Sequence, residues 1–457
     1  MKNGLAILAM LLVMSGAVLG EACSWAVGKQ VALGAVLLFV ALESGALLKG
    51  ARIMLAVCLI SSLAILTALP DAVGILSQAL ENAAFIIGLF AAVSLLREPA
   101  ERSALVRRCG DLLIQQPPGR RFLVLSLGSL LISVVLNFGV LALLGPMTLN
   151  ANTLEAAGGD PNVIRIRKQR MMSAVLQGFA LMTVWSPLSV SFAVTQVAIP
   201  GLSWAMLVPL QMLLCALLLG LAWLVDHFTF RRYHRTDRIY PPQSWAPAGR
   251  LMLLVGTIVT AALTLSQLLA VRPVIGSMII VPLSALIWLW VQDRGPLIGL
   301  AGRVCTSLPS YRNEYVLVGG AIFCGILATN LLEPATVTAL LLRLALPPIA
   351  VMVLMVWTMM ALARFGMPQI VTVTVLGHAL AGLSAHGIQP LVMASGFMGG
   401  WALSACTTQV GAAVLAVARM SDVSISTVAR LWNGRFVLCG ALLLALWMLV
   451  LNSLLEK

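Results

Sequence analysis

Apolar runs follow one another almost from end to end of this 457-residue chain, and they constrain its fold more than any other feature. Many of them reach about 17–25 residues, the length at which an α-helix crosses the hydrocarbon core of a bilayer. Charged residues make up only 10% of the chain, against about 25% in soluble domains. The sequence therefore predicts an all-α polytopic membrane protein with about 10–12 transmembrane helices.

The basic residues lie in short loops at the ends of these runs. The formal net charge of +13 would suggest nucleic-acid binding in a soluble protein. Here the arginines and lysines cluster in 97–121, 165–170 and 231–238, which is the positive-inside pattern of cytoplasmic loops. We therefore expect a cytoplasmic (inner) membrane location and no nucleic-acid partner. The expected partners are the lipid bilayer, a small-molecule substrate and a second copy of the chain in a homodimer.

The sequence carries no motif for enzymatic or ATP-driven chemistry. It contains no Walker A motif and no His/Glu pair of the metalloprotease type. The eight cysteines are scattered without a CxxC pair and are most simply core residues. We expect no catalytic residue, no metal site and no cofactor, with Na⁺ as one candidate for a coupling ion.

Loop positions divide the chain into four parts. We expect an N-terminal helix within 1–29, a first repeat over 30–225, a cytoplasmic loop over 226–250 and a second, inverted repeat over 251–457. Each repeat is predicted to hold a re-entrant hairpin and a broken helix.

The first hairpin is predicted at 122–144 by the charges that flank it. Both flanks are basic and should be cytoplasmic, which a single spanning helix does not allow. A hairpin that enters and leaves on the same side removes the conflict and places Asn137 near its tip. The same spacing separates Arg121 from Glu314 and Asn137 from Asn330, so we expect the second hairpin near 314–343.

Small polar residues interrupt two further apolar segments, 171–199 and 390–417. Pro187 favours a break in the first because it removes one backbone donor and clashes with the preceding turn. Asparagine amides, Ser and Thr hydroxyls and the free backbone groups of broken helices can replace the hydration of a solute at the bilayer midplane. The predicted site residues are Asn137, Ser186, Ser189, Thr329, Asn330, Ser404, Thr407 and Thr408.

Simpler interpretations of these residues remain open at this point. Either asparagine alone can join two helices by a hydrogen bond. Ser186 and Ser189 can bond carbonyls that the Pro187 kink releases, and the threonines can permit close packing.

Ionisable residues inside apolar segments are costly and therefore informative. Glu81 lies within 74–96 and is the first candidate for proton coupling; a structural hydrogen bond is the alternative. His378 titrates near neutral pH when unperturbed and is the second candidate, with a satisfied core histidine as the alternative. Glu333, next to Pro334, marks a candidate hairpin end.

The arginine-rich stretch 98–121 is amphipathic and predicts a helix on the cytoplasmic face of the membrane, with 294–313 as its candidate counterpart. Given twice, the order of interfacial helix, asparagine hairpin and broken Ser/Thr helix resembles the ion transporter superfamily. That group includes divalent anion:sodium symporters, arsenite and sodium–proton antiporters and the large membrane subunit of TRAP transporters. In the divalent-anion family each hairpin tip carries Ser-Asn-Thr. Here the tips read Leu136-Asn137-Phe138 and Thr329-Asn330-Leu331, so only the asparagines carry over. Over about residues 30–455, the resemblance implies an elevator-type movement of a transport domain against a scaffold.

The leading functional hypothesis is a secondary active transporter that moves a small anionic solute, coupled to H⁺ or Na⁺. The alternatives are an antiporter that exports an oxyanion or exchanges Na⁺ for H⁺, and a membrane subunit of a multi-component transport system. An integral-membrane enzyme would need ionisable residues clustered near one membrane face, and this chain has few.

Overall fold

The computed structural model describes residues 2–155, 157–199, 201–231, 244–331, 346–381, 389–409 and 411–455, with the side chains of 2 and 378–381 left out. The chain is all-helical over these ranges, with 85% of it in helices. Eleven of the described helical stretches are long and apolar enough to cross a membrane. The prediction of an all-α polytopic membrane protein is therefore confirmed.

Twenty α-helices lie in the described ranges. The first ten are α1 (Lys2–Ala22), α2 (Ala26–Glu43), α3 (Lys49–Ala68), α4 (Ala72–Ser94), α5 (Arg97–Arg102), α6 (Ala104–Ile114), α7 (Pro118–Leu136), α8 (Gly139–Asn150), α9 (Pro161–Trp185) and α10 (Val190–Ala198). The others are α11 (Trp204–Thr229), α12 (Ala246–Leu268), α13 (Pro273–Asp293), α14 (Leu297–Thr306), α15 (Arg312–Leu331), α16 (Pro348–Arg364), α17 (Gln369–Ala381), α18 (Pro390–Ala405), α19 (Ala412–Ser421) and α20 (Gly434–Leu455).

The helices pack in two groups. The first bundle contains α1 to α4 and α12 to α15, and the second contains α7 to α11 and α16 to α20. The short helices α5 and α6 join them, and α17 packs against α15 across the boundary. Both halves of the chain therefore contribute to both bundles, while the repeat boundaries themselves stay a prediction.

Close helix contacts in both bundles depend on glycine. In the first, a Cβ at Gly16 would lie 2.7 Å from the carbonyl oxygen of Gly28, so α1 and α2 meet along small residues, as membrane helices often do. In the second, a Cβ at Gly178 would lie 2.2 Å from the carbonyl oxygen of Ser126. This contact holds α9 directly against α7.

A buried ion pair fixes the start of α9. The guanidinium of Arg170 binds Asp226 on α11 through both carboxylate oxygens, with Nε–Oδ1 at 2.9 Å and Nη2–Oδ2 at 2.7 Å. The same Nη2 donates to the carbonyl oxygen of Pro118 at the start of α7. Arg170, which loop charge alone marks only as a topological residue, therefore ties three helices of the second bundle together.

The helix joining the bundles is amphipathic, as the arginine-rich stretch after α4 predicts. In α6, Val106, Cys109 and Leu113 are buried, while Arg107 and Arg108 are exposed. An apolar face on one side and charges on the other suit a helix that lies at a membrane surface.

Candidate functional site

Asn137 lies at the junction between α7 and α8, where the sequence predicts a hairpin tip. Its backbone has φ +49° and ψ −126°, a positive-φ conformation outside the left-handed helical region that glycine adopts readily and residues with a side chain rarely adopt. Its N–H donates to the carbonyl oxygen of Ser133 (2.8 Å), and its own carbonyl oxygen accepts from the N–H of Val140 (3.2 Å). Asn137 thus ends α7 and accepts a hydrogen bond from the first turn of α8.

The first helix break spans Ser186 to Ser189, again where the sequence predicts it. The hydroxyl of Ser186 accepts from the N–H of Leu188 (3.3 Å). The hydroxyl of Ser189 donates to the carbonyl oxygen of Ser186 (2.7 Å) and accepts from the N–H of Phe192 (3.3 Å). Ser189 is therefore the N-cap of α10, and the serines satisfy backbone groups that the break releases.

The second break separates α18 from α19 and also falls inside its predicted segment. The hydroxyl of Ser404 donates to the carbonyl oxygen of Gly400 (2.7 Å). The N–H groups of Thr407 and Thr408 both donate to the carbonyl oxygen of Ser404, at 3.0 and 2.9 Å. Gly411 precedes α19, and no described side chain caps that helix.

Two adjoining cavities lie between the bundles, next to the tip and the breaks. Their volumes are about 300 and 210 Å³. Phe90, Asn137, Phe138 and Ala412 line both cavities, so Asn137 stands where they meet. We call the two together the interface cavity.

Both bundles supply walls to the interface cavity. The first bundle supplies residues of α4 and α15, including Ser94 and Val318. The second supplies α7 to α10 and the region of the second break, including Phe179, Ser189 and Thr408. Most of the wall is apolar, with a few hydroxyls and the amides of Asn137 and Gln369 set in it.

Three helices begin at the interface cavity. Its walls include Gly139 of α8, Val190 and Ser191 of α10, and Gly411 with Ala412 at the start of α19. The first N–H groups of a helix have no partner within the helix, and the helix dipole places about half a positive charge there. Three such ends around one cavity favour a negatively charged occupant.

Arg97 places a guanidinium at one mouth of the interface cavity. Its guanidinium pairs with Glu101, and its Nη1 lies 3.5 Å from the Tyr311 hydroxyl. A Cβ built on Gly139 would lie 3.6 Å from its Nε, so the guanidinium stands beside the start of α8. Glu314 also lines this mouth, where it is exposed.

Three of the predicted site residues line the same cavity: Asn137, Ser189 and Thr408. The other three residues of the two breaks are buried and do not line the cavity: Ser186, Ser404 and Thr407. Their hydroxyls form hydrogen bonds with nearby backbone groups.

The structure places Thr329 and Asn330 apart from this group, at the end of α15. Both side chains donate to the carbonyl oxygen of Ile326 in their own helix, and Asn330 is exposed. The rest of the predicted second hairpin, including Glu333, lies outside the described residues. A role for these two residues in binding stays a prediction.

The two proton-coupling candidates are also separate from the interface cavity. Glu81 lines a different cavity, with Glu21, Lys29 and Arg272. It is nine residues before Phe90 on α4, a rise of about 13 Å. His378 lies in α17, and its side chain is outside the described part of the chain.

Sequence reasoning missed the residues that charge and shape the interface cavity. Arg97 was interpreted only as a topological charge, and Phe90, Phe138, Phe179 and Trp401 only as apolar residues. The one available signal for Arg97 is its position, since it follows the last apolar turn of α4 and lies nearest the membrane of all residues in its basic cluster.

Comparison with known proteins identifies a fold. No family model matches the chain, and no curated protein matches it significantly. The crystal structure of the YdaH transporter of Alcanivorax borkumensis, described as having an unusual topology, is similar with a TM-score of 0.59 and 15% sequence identity. The similarity covers 89% of this chain and 98% of that one. The chain therefore has a transporter fold and is a multi-pass membrane protein.

Proposed function

We propose that this protein is a secondary active transporter of a small anionic solute in the cytoplasmic membrane. The observation that carries the proposal is the interface cavity, where three helix N-termini, Arg97 and the Asn137 amide surround one space between two bundles. Fixed dipoles and one cation can replace the hydration of an anion there. The similarity to a transporter of known structure supports a transporter fold, and we further propose that the chain is related to the ion transporter superfamily.

The position of the cavity supports an elevator-type mechanism. The second bundle carries Asn137 and both helix breaks, while the first supplies the opposing wall from α4 and α15. Movement of the second bundle along this wall would carry a bound solute across the membrane. By the positive-inside rule, the mouth at Arg97 is cytoplasmic, since it lies at the basic end of α4.

We propose ion coupling because the sequence has no ATP-binding motif. At each break one half-helix ends and another begins, and the carbonyl ends of α9 and α18 favour a cation while the N–H ends favour an anion. Na⁺ at these carbonyls and H⁺ at an ionisable residue are the two forms of coupling to be distinguished.

The test is uptake into proteoliposomes that contain the full chain. The panel should include monocarboxylates, dicarboxylates and inorganic oxyanions, with Na⁺ and H⁺ gradients imposed separately and in both directions. We expect saturable, gradient-dependent flux of at least one anion. Flux that requires solute loaded on the opposite side would indicate exchange or export. If no anion moves under any gradient while protein-free liposomes stay sealed, the proposal is wrong.

A further inference from the structure

A second cavity, of about 260 Å³, lies between α1, α2, α4 and the start of α13. Its floor is apolar and consists of Ala17, Ala32 and Phe85. Its remaining walls carry amides and charges, supplied by Glu21, Lys29, Gln78, Glu81, Asn82 and Arg272. We call it the polar cavity. It shares no lining residue with the interface cavity.

The polar cavity holds two carboxylates and two cations, so its formal charge is zero. Glu21 lies 3.0 Å from the Lys29 amine and 3.9 Å from the Arg272 guanidinium. Glu81 accepts a hydrogen bond from the Ser77 hydroxyl (3.4 Å) and pairs with no cation of the described residues. Arg272 therefore makes one long ionic contact, and Glu81 pairs with no described cation. Both groups are available to bind a ligand.

The polar cavity lies at the level of a membrane interface. Glu21 is one residue from the end of α1, and Arg272 directly precedes α13. The Arg272 side chain is 53% exposed and the Glu21 side chain 26%, so the cavity is open to its surroundings. Its apolar floor lies deeper along α1 and α4. By loop charge, this membrane face is opposite the basic cytoplasmic loops.

We propose that the polar cavity binds a zwitterionic group that combines a primary ammonium with a phosphate, as in the headgroup of phosphatidylethanolamine. The ammonium would pair with Glu81 and the phosphate with Arg272. A purely anionic or purely cationic ligand would face a like charge in either position. A primary ammonium offers three hydrogen-bond donors, which a choline group lacks.

Thermal unfolding of the full chain in detergent micelles tests this proposal, with one phospholipid added at a time. A ligand that binds only the folded state raises the midpoint. We expect phosphatidylethanolamine to raise Tm by about 2–4 °C more than phosphatidylcholine or phosphatidylglycerol. Glu81→Gln should abolish the advantage of ethanolamine over choline, and Arg272→Gln should remove the response to all three lipids. The exposed residues Glu155 and Arg108 supply matched controls, Glu155→Gln and Arg108→Gln, which should respond as the wild type does.

Equal shifts from the three lipids, or a full ethanolamine shift in both cavity variants, would overturn the proposal. Soluble phosphoethanolamine distinguishes the two sources of the ligand, because a saturable shift without lipid assigns a free zwitterion and a shift with lipid alone assigns the headgroup. If a variant does not fold, native mass spectrometry of the wild type replaces it: preferential retention of ethanolamine over choline lipid supports the site, and equal retention contradicts it. These outcomes do not depend on transport.

Discussion

The two helix breaks differ in how their backbone groups are satisfied. In the first, Ser189 caps α10 through the N–H of Phe192, and its hydroxyl also bonds back to Ser186. In the second, Gly411 precedes α19 with no cap from a described side chain, and Thr408 lines the cavity. The first break therefore maintains its own shape, whereas the second leaves backbone donors free for a ligand.

The helices that contain these breaks are also anchored differently, although both are anchored to α11. The Arg170–Asp226 ion pair holds the start of α9. A neutral chain holds α18: the Trp447 indole donates to Ser395 (2.8 Å), whose hydroxyl donates to Gln211 (2.9 Å). A charged anchor makes the fold far more sensitive to loss of one partner than a neutral anchor does.

The largest expected effect is that of Asp226→Asn. Removing one partner of a buried ion pair leaves an uncompensated charge, and we expect a loss of about 3–5 kcal/mol in the free energy of unfolding. Unfolding by SDS in mixed micelles measures it, with Asp111→Asn on the exposed face of α6 as the control. A loss no larger than that of Ser395→Ala, about 1–3 kcal/mol, would contradict the difference between the two anchors.

Two substitutions at Asn137 distinguish the effect of its backbone conformation on stability from the effect of its side-chain amide on transport. Glycine adopts positive φ freely, so Asn137→Gly should keep the fold and lose only the amide. We expect it to lower kcat/KM for the transported anion at least tenfold, about 1.4 kcal/mol, at unchanged stability. Asn137→Ala should lose the same activity and be less stable than Asn137→Gly by about 1–3 kcal/mol, because alanine keeps a Cβ at this positive φ.

Uptake kinetics and unfolding of both variants check these expectations, with Asn150→Ala at the exposed end of α8 as the control. Normal transport by Asn137→Gly would show that the residue serves the turn alone.

Sequence reasoning succeeded where the signal is local. Apolar run length predicted the spanning helices, and Pro187 with its flanking serines predicted the first break, because a proline acts on its own turn. Flanking charge placed Asn137 between two helical arms, since loop charge acts on the adjacent segment, and Asn137 does lie between α7 and α8. That these arms form a re-entrant hairpin stays a prediction.

The rest of the site depends on contacts between distant segments. Arg97 reaches the start of α8 only because the bundles pack as they do, and Asp226 meets Arg170 across 56 residues of sequence. Glu81 lies inside the apolar segment 74–96, yet it lines a cavity with Glu21 and Arg272, two residues at the ends of other helices. Spacing along one helix does not contain this information.

Ser189→Ala tests whether the first break is structural. Loss of an N-cap typically lowers helix stability by about 1 kcal/mol, so we expect a comparable fall in the free energy of unfolding. KM for the transported anion should change little, because the serine already bonds its own backbone. Ser15→Ala, whose hydroxyl bonds only its own helix at an exposed position, is the matched control. A large rise in KM at unchanged stability would assign Ser189 to binding instead.

Thr408→Val provides the complementary test at the second break. Valine keeps the shape of threonine and removes the hydroxyl, so packing is preserved while one donor is lost from the cavity wall. One neutral hydrogen bond contributes about 1 kcal/mol, which corresponds to a rise of about fivefold in KM. Stability should match that of Thr67→Val, a control on the exposed side of α3. If Thr408→Val instead lowers stability and leaves KM unchanged, the two breaks serve the same structural purpose, and anion binding depends on the hairpin tip and Arg97.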